Sequence, residues 1–322
     1  MRVLIDLIAK SIAYSSGIGI GAMAITLIYS STRTFNFAHA SMVTIGFYAM
    51  FTGTYILGGS PYYYLLLAGL MGSIAGLLIF YGLNLWLLRR GAGEITLMMS
   101  TLGADLILFG LINIYIDYLV KIVAERGLVG VNPKFFLLET RDFTITIGDF
   151  EIRGIALVAP LILVLATLLL HLFLTKTKIG IAMRATIENP SLASLLGINP
   201  EVLYMLAWLI GGFLAGLSGG ILSLVTTGYN TIGVTLIVTF FAGAIVGGLY
   251  SIIGGLLGGL LVGLSEYIGI TLLSIAFGGG IIAYRPAIPL AIMALTLLIQ
   301  PTGLAGIQWR ALYQRVVETL RR

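Results

Sequence analysis

The chain has 322 residues, of which 59% are hydrophobic and 10% are charged, and its mean hydropathy is +1.06. Soluble domains carry about 25% charged residues, so this composition excludes a soluble globular protein and indicates a polytopic integral membrane protein. The 18 Lys and Arg residues outnumber the 13 Asp and Glu residues, but they cluster at the ends of apolar runs, which is typical of membrane loops rather than of nucleic-acid binding. The absence of cysteine excludes disulfides and thiolate metal sites.

Apolar segments separated by polar ones predict an all-α fold of eight or nine transmembrane helices. The first span ends near Ser30, and the others cover 41–58, 62–88, 95–119, 155–174, 201–226, 234–249, 252–275 and 287–300. The segment 234–249 is short enough to be re-entrant, which leaves the count at eight or nine. Glycines four residues apart in the sixth, seventh and eighth spans predict close helix–helix packing.

The segment 31–40 interrupts two apolar runs, so it predicts that the second span is broken at its start. Arg33 marks a membrane edge. Asn36 and His39 follow it at the mouth of the span, where exposure to lipid would be costly. Two interpretations stay open: these side chains line a transport path near the cytoplasmic half of the membrane, or they form a satisfied polar turn at a helix start.

Two carboxylates fall inside predicted spans, Asp105 in the fourth and Glu266 in the eighth. An intramembrane carboxylate is a candidate functional residue because an unpaired charge is expensive in hydrocarbon. Each of the two is therefore a candidate for the translocation path. Each is equally compatible with a hydrogen-bonded residue that serves helix packing.

A polar excursion at 121–153 contains the alternating stretch FTITIGDFEIR, which predicts a β-hairpin. Gly148 and Asp149 supply its two-residue turn. Basic residues set the orientation, because Arg89, Arg90, the cluster around Lys176 and the C-terminal arginines fall on one side when 121–153 lies on the other. This places the hairpin outside the cell and the loop 175–200 in the cytoplasm.

The loop 175–200 contains a short helix whose two ends can be read from the sequence. Asn189 is a suitable N-cap. Pro190 occupies the first helical position, where its missing N–H is not needed. Gly197 is a suitable left-handed C-terminal residue.

Between these ends, Leu192, Leu195 and Leu196 have the i, i+3, i+4 spacing of one apolar face. About two turns of helix are too short to be stable alone. The helix is therefore expected to dock on another surface or to lie in the lipid headgroups.

Several stretches in chain order resemble one family. Residues 36–39, Asn-Phe-Ala-His, resemble the N-F-A-H-G signature of branched-chain amino-acid ABC transporter permeases. Residues 184–199 resemble the cytoplasmic loop of that family, residues 247–259 its glycine-rich segment, and residues 301–304 the P-T-G-[IL] after its last span. The likeness covers nearly the whole chain and is greatest to the first of the two permease subunits such systems encode. The chain departs from the pattern at Ala40 and Tyr250, where the family has glycine.

The resemblance implies a single permease domain over 1–322, in the cytoplasmic membrane of a prokaryote. Such permeases work with a second homologous permease, two cytoplasmic ATPase subunits and an extracytoplasmic binding protein. ATP would be used by the partner subunits, and this chain would be no enzyme and bind no cofactor itself, since it lacks a G-x-x-x-x-G-K-[ST] phosphate loop. The loop helix would be the coupling helix, and its contact residues would be Arg184, Glu188, Pro190, Leu192, Ala193, Leu195, Leu196 and Gly197.

The implied function is the permease subunit of an ATP-driven importer that moves branched-chain amino acids by alternating access. A permease for urea or another small amide is a close alternative. An ion-coupled secondary carrier that uses Asp105 and Glu266 is an alternative of another class. Whether the permease pair is a homodimer or a heterodimer stays open at this point.

Overall fold

A computed structural model describes residues 2–147 and 150–306. Within this part the fold is all-α apart from one small hairpin, as the sequence predicts. Its helices are α1 Arg2–Thr32, α2 His39–Phe51, α3 Leu65–Ile79, α4 Leu85–Arg89, α5 Glu94–Glu125, α6 Ile155–Lys176, α7 Lys178–Glu188, α8 Pro190–Leu195, α9 Pro200–Leu222, α10 Ile232–Gly247, α11 Ile252–Phe277 and α12 Ala287–Ile299. The strands are β1 Thr144–Ile147 and β2 Phe150–Arg153.

Eight helical segments of the described residues are long and apolar enough to cross a membrane, which confirms a polytopic membrane protein. The ninth apolar segment, α10, has 16 residues. At 1.5 Å per residue it is about 24 Å long, shorter than the roughly 30 Å of bilayer hydrocarbon. The predicted choice between eight and nine spans therefore turns on α10 alone.

Three predicted spans differ from the helices observed. The sixth was predicted to reach residue 226, but α9 ends at Leu222 and an irregular segment follows. The second continues past α2 as a π-helical segment, Thr52–Leu57. The third consists of α3 and α4 joined by a π-helical turn at Phe80–Asn84. Hydropathy reports an apolar run but not how its backbone hydrogen bonds are arranged.

The predicted hairpin is confirmed by antiparallel pairing of β1 with β2, in which Thr144 lies opposite Arg153 and Ile147 opposite Phe150. The predicted turn residues Gly148 and Asp149 lie outside the described residues. The C-terminal arginines used for the orientation, Arg310, Arg315, Arg321 and Arg322, also lie outside them.

Polar contacts define two opposite ends of the helix bundle. At the end that carries β1 and β2, here called the hairpin end, Lys10 forms an ion pair with Glu139 at 2.9 Å and Tyr62 donates to Asp142 at 2.6 Å. At the opposite end, called the α8 end, Arg89 lies 2.8 Å from Glu201 at the start of α9. The two polar loops of the sequence are thus at opposite ends of one bundle.

The core is built where α9 crosses α2 and α3 through glycines, as the four-residue spacing predicts. A Cβ atom added to Gly216 would lie 2.1 Å from the carbonyl oxygen of Ala68 in α3. A Cβ atom added to Gly46 of α2 would lie equally close to the carbonyl oxygen of Gly216. The three backbones therefore touch at a point that no larger residue could occupy without moving a helix.

A second glycine seam joins α11 to α1 and α10. A Cβ on Gly259 would lie 2.8 Å from the Cα of Gly19 in α1, and one on Gly243 of α10 would lie 2.7 Å from the Cα of Gly259. Because α11 runs antiparallel to both neighbours, its glycines hold α1 and the short α10 together. This seam fixes α10 beside the break that precedes α2.

Candidate functional site

The short helix α8 is capped as its sequence predicts. The side chain of Asn189 accepts a hydrogen bond from the backbone N–H of Leu192 at 3.0 Å. Pro190 is the first helical residue, and Gly197 has φ +82°, the left-handed conformation that closes a helix. The backbone N–H of Ile198 returns to the carbonyl oxygen of Ala193 at 3.0 Å, so both ends of the helix are hydrogen-bonded locally.

One face of α8 is apolar and exposed. Leu192, Leu195 and Leu196 are 55%, 84% and 73% exposed, whereas Ala193 on the other face is 2% exposed. Exposing three leucines, two in the six-residue helix and one at its C-cap, is unfavourable in water, at about 1.5–3 kcal/mol for each leucine that could be buried. Among the described residues, the three leucines are thus left largely without packing partners.

The preceding helix α7 is capped at its start by Thr177, whose hydroxyl oxygen accepts a hydrogen bond from the backbone N–H of Gly180 at 3.0 Å. Arg184 and Glu188 of α7 line a cavity of about 650 Å³ at the α8 end. Its lining also contains Arg33 and Tyr250, and the Arg33 guanidinium lies 4.4 Å from the centre of the Tyr250 ring. The departure from glycine at Tyr250 thus supplies a stacking surface for Arg33.

The predicted break between α1 and α2 is confirmed, and hydrogen bonds from α5 hold its backbone in place. Thr101 accepts a hydrogen bond from the N–H of Phe37 at 3.1 Å and lies 3.2 Å from the carbonyl oxygen of Phe35. Thr101 lies about 10 Å along α5 from Glu94, at 1.5 Å per residue, so the break lies toward the α8 end. Irregular backbone at this depth is tolerated because it is buried in protein.

Asp105, one helical turn beyond Thr101, caps α2. Its carboxylate accepts the backbone N–H of Ser41 at 3.1 Å and the Ser41 hydroxyl at 2.6 Å. The N–H of Ser41 is one of the unpaired donors of the first turn of α2, where a negative charge is also favoured by the helix dipole. The Asp105 carboxylate is therefore hydrogen-bonded to the start of α2, beside the break.

Asn36 and His39 are buried at the break, with 1% and 0% exposure. The Asn36 amide lies 3.7 Å from the sulfur of Met42, and the His39 ring meets the edge of Phe240 of α10 with centroids 5.2 Å apart. Among the described residues, the Asn36 carbonyl oxygen and both His39 ring nitrogens have no hydrogen-bond partner. Unpaired buried polar atoms cost about 1–3 kcal/mol each, so a purely structural turn leaves them unexplained.

Glu266 lies elsewhere, on the seam between α1 and α11 toward the hairpin end. Tyr14 donates to its carboxylate at 3.1 Å, and Arg285 forms an ion pair with the same oxygen. The Arg285 guanidinium also stacks 4.6 Å from the centre of the Tyr14 ring. Glu266 therefore has a cationic partner, and the structure does not bring it together with Asn36, His39 and Asp105.

Several residues that organise the site carry no signal in the sequence. Ser41 and Thr101 hold the break to α5, and Arg285 neutralises Glu266, but each acts on a residue from a different helix. By contrast, two of the family-like stretches are in contact: Gly303 of the P-T-G-L turn lies against Gly248 of the glycine-rich segment, where an added Cβ would be 2.7 Å from the Gly248 nitrogen. The presence of both family-like stretches in the sequence therefore indicates the contact between Gly303 and Gly248.

Comparison with known proteins agrees with these motifs. Residues 7–299 match the model of the family described as "Branched-chain amino acid transport system / permease component". A protein of Methanocaldococcus jannaschii named "Probable branched-chain amino acid transport permease protein LivH" is 37% identical over 309 residues, which cover 96% of this chain and 94% of that protein.

More distant relatives have related names. The Escherichia coli K12 protein named "High-affinity branched-chain amino acid transport system permease protein LivH" is 27% identical over 88% of this chain and 90% of its own length. The corresponding BraD protein of Pseudomonas aeruginosa is 26% identical, again over 88% and 90%. No solved structure matches the chain.

Proposed function

We propose that this chain, which belongs to the family of branched-chain amino acid transport permease components, is the membrane-spanning subunit of an ATP-driven importer of branched-chain amino acids. Its partners are a second homologous permease subunit, two cytoplasmic ATPase subunits and an extracytoplasmic binding protein. The α8 end faces the cytoplasm and the hairpin end faces outward.

The observation that carries the proposal is the exposed apolar face of α8. This face lies at one end of the helix bundle, outside the membrane-spanning helices. A carrier that works alone has no use for three exposed leucines on a capped helix outside its spans. An ATPase partner supplies an apolar groove for them. Arg184 and Glu188 belong to α7, which directly precedes α8 in the chain, but their side chains line the cavity shared with Arg33 and Tyr250. Helix α8 then passes the motion of the ATPases to α7 and α9, which flank it in the chain.

The translocation path runs past the break between α1 and α2. Asn36 and His39 offer neutral hydrogen-bonding groups, which suit a zwitterion better than fixed charges that would trap it. Among the described residues the Asn36 carbonyl oxygen and the His39 ring nitrogens have no partner, and they become available when α10 moves away from the break. Asp105 holds the start of α2 in place while this happens.

The ion-coupled carrier is less well supported, because both carboxylates it needs already have partners. Asp105 caps α2 through Ser41, and Glu266 is paired with Arg285. The urea or amide permease is not favoured by the relatives, whose names specify branched-chain amino acids.

The proposal is tested by making the α8 face charged. The double substitution Leu195→Asp and Leu196→Asp should reduce ATPase recovery with the tagged permease at least about tenfold, because two carboxylates cannot be desolvated in an apolar groove. The measurement is co-purification from membranes, together with transport-coupled ATP hydrolysis.

Val129→Asp is the matched control, because Val129 is 98% exposed at the hairpin end and receives the same apolar-to-acidic change. It should leave ATPase recovery unchanged. Normal recovery and coupled hydrolysis in the double variant, at wild-type membrane levels, would show that α8 is not the docking element.

A further inference from the structure

The cavity at the α8 end lies where three spanning helices reach the membrane surface. Its walls include Ser30 near the end of α1, Thr175 near the end of α6 and Ile252 at the start of α11. Helix α6 has 22 residues, or about 33 Å, so its last turn lies at the edge of the hydrocarbon. With a volume of about 650 Å³, this space, here called the Arg33 cavity, holds far more than one small ion.

Two arginines line the Arg33 cavity without a partner of their own. They are Arg33, directly after α1, and Arg184 of α7. Within residues 2–147 and 150–306, neither guanidinium lies in an ion pair with a carboxylate, whereas Arg89 at the same end of the bundle is paired with Glu201. The N–H groups of Arg33 and Arg184 are therefore available to an anion.

The other titratable groups of the cavity leave an excess of positive charge. Glu188 lines it four residues after Arg184, and His171 and Tyr250 complete the set. With His171 and Tyr250 neutral, two arginines and one glutamate leave one positive charge. An anion with a single negative charge is the ligand that this balance favours.

Arg33 is held in position by its backbone and by an aromatic ring. Its φ is +54°, and its N–H closes α1 on the carbonyl oxygen of Tyr29 at 2.8 Å, a position where glycine is the usual residue. Such strained conformations cluster at functional sites. The Tyr250 ring lies 4.4 Å from the guanidinium, and the family pattern has glycine in place of Tyr250. The arrangement is thus a feature of this chain beyond the shared motifs.

The side of the cavity toward the spans is apolar. Leu174 of α6 and Ile253 of α11 line it, and Ile253 is 48% exposed. Both helices meet α1 farther along, because a Cβ added to Gly19 would lie 3.3 Å from Leu163 of α6 and 3.5 Å from Leu260 of α11. The cavity therefore lies between the ends of α6 and α11, with charged groups toward α7 and apolar groups toward the hydrocarbon.

An anionic lipid combines the two chemistries that this cavity offers. Arginine binds phosphate oxygens through paired N–H groups. A soluble phosphate has no use for the apolar walls, whereas a glycerophospholipid carries its phosphate at headgroup depth and its acyl chains below. Basic pockets between spanning helices at the cytoplasmic surface bind anionic headgroups in this way.

We propose that the Arg33 cavity binds one anionic glycerophospholipid, with Arg33 and Arg184 donating to its phosphate and its acyl chains lying along α6 and α11. The bound phosphate joins the residue that precedes the break to the helix that precedes α8. Only the assignment to the cytoplasmic leaflet rests on the proposed function, which gives the orientation of the bundle.

Native mass spectrometry of the assembled, delipidated transporter tests the binding. Phosphatidylglycerol should bind at least about tenfold more tightly than phosphatidylcholine. The double substitution Arg33→Gln and Arg184→Gln should remove that preference. Arg90→Gln is the matched control, because Arg90 is exposed at the same end, contacts the Trp86 ring at 3.7 Å and lies outside the cavity. It should keep the wild-type preference, and an equal loss in both variants would overturn the proposal.

Cysteine labelling locates the lipid, because the chain has no cysteine of its own. Ile253→Cys introduces a thiol in the cavity wall, and Leu165→Cys introduces one on α6, where Leu165 is 51% exposed. Phosphatidylglycerol should slow the reaction of the first thiol with a maleimide at least about tenfold relative to phosphatidylcholine, and should leave the second unchanged. Equal rates at the first thiol in the two lipids would contradict the site.

Two further outcomes would overturn the lipid as the occupant. Protection of Ile253→Cys by inorganic phosphate, as strong as that by phosphatidylglycerol, would assign the cavity to a soluble anion. Protection without any lipid, lost when the ATPases are removed, would assign it to an ATPase surface. Neither measurement uses transport, so failure of the proposed function is seen separately, as a complex that binds the lipid but takes up no leucine with ATP.

Discussion

His39 is fully buried against Phe240, yet neither of its ring nitrogens has a partner within the described part of the chain. A residue kept only for packing would be replaced by an apolar one of similar size at a gain in stability. Under the proposed function the break opens, and the imidazole then meets water or substrate. The Asn36 carbonyl oxygen, which also has no partner among the described residues, is accounted for in the same way.

The substitution His39→Leu should separate stability from transport. The free energy of unfolding should rise by about 1 kcal/mol, because an unsatisfied buried group is removed, while substrate uptake slows in complexes that assemble normally. Thermal unfolding in detergent and uptake into vesicles measure the two effects. A less stable variant that transports at the wild-type rate per assembled complex would assign His39 to structure instead.

At the scale of elements, some glycines lie in close contact with neighbouring helices, whereas others contact no other helix of the chain. Gly216 of α9 holds three backbones in contact, while Gly103 of α5 touches nothing within the chain. The same substitution should therefore have opposite effects at the two sites. This contrast distinguishes packing glycines from surface glycines, which the sequence spacing alone does not do.

Gly216→Ala should lower the stability of the isolated chain by about 1–3 kcal/mol, because the added methyl overlaps the Ala68 carbonyl and forces the helices apart. Gly103→Ala should raise it by up to about 1 kcal/mol through helix propensity. Thermal unfolding of each variant in the same detergent is the measurement. Equal effects at the two positions would contradict the packing described for α9.

For the molecule as a whole, the sequence predicts what depends on local pattern. Hydropathy locates the spans, alternation locates the hairpin, and Asn189, Pro190 and Gly197 delimit α8 to within a residue. The contacts that join Asp105 to Ser41 and Glu266 to Arg285 bring different helices together, so no local pattern contains them. The early end of α9 is also not visible in the sequence, because Leu224 and Val225 extend the apolar run while the backbone at Ser223 already pairs with Leu138.

The proposed function joins the two parts of the bundle, because it assigns the break between α1 and α2 to the transport path and the α8 face to the ATPases that drive transport. The most direct test is uptake of labelled leucine by vesicles that contain this chain with its partner permease, ATPases and binding protein. We predict accumulation that requires ATP, persists when ion gradients are dissipated, and is lost in the Leu195→Asp and Leu196→Asp double variant. Uptake by this chain alone, driven by a proton or sodium gradient without ATP, would contradict the account.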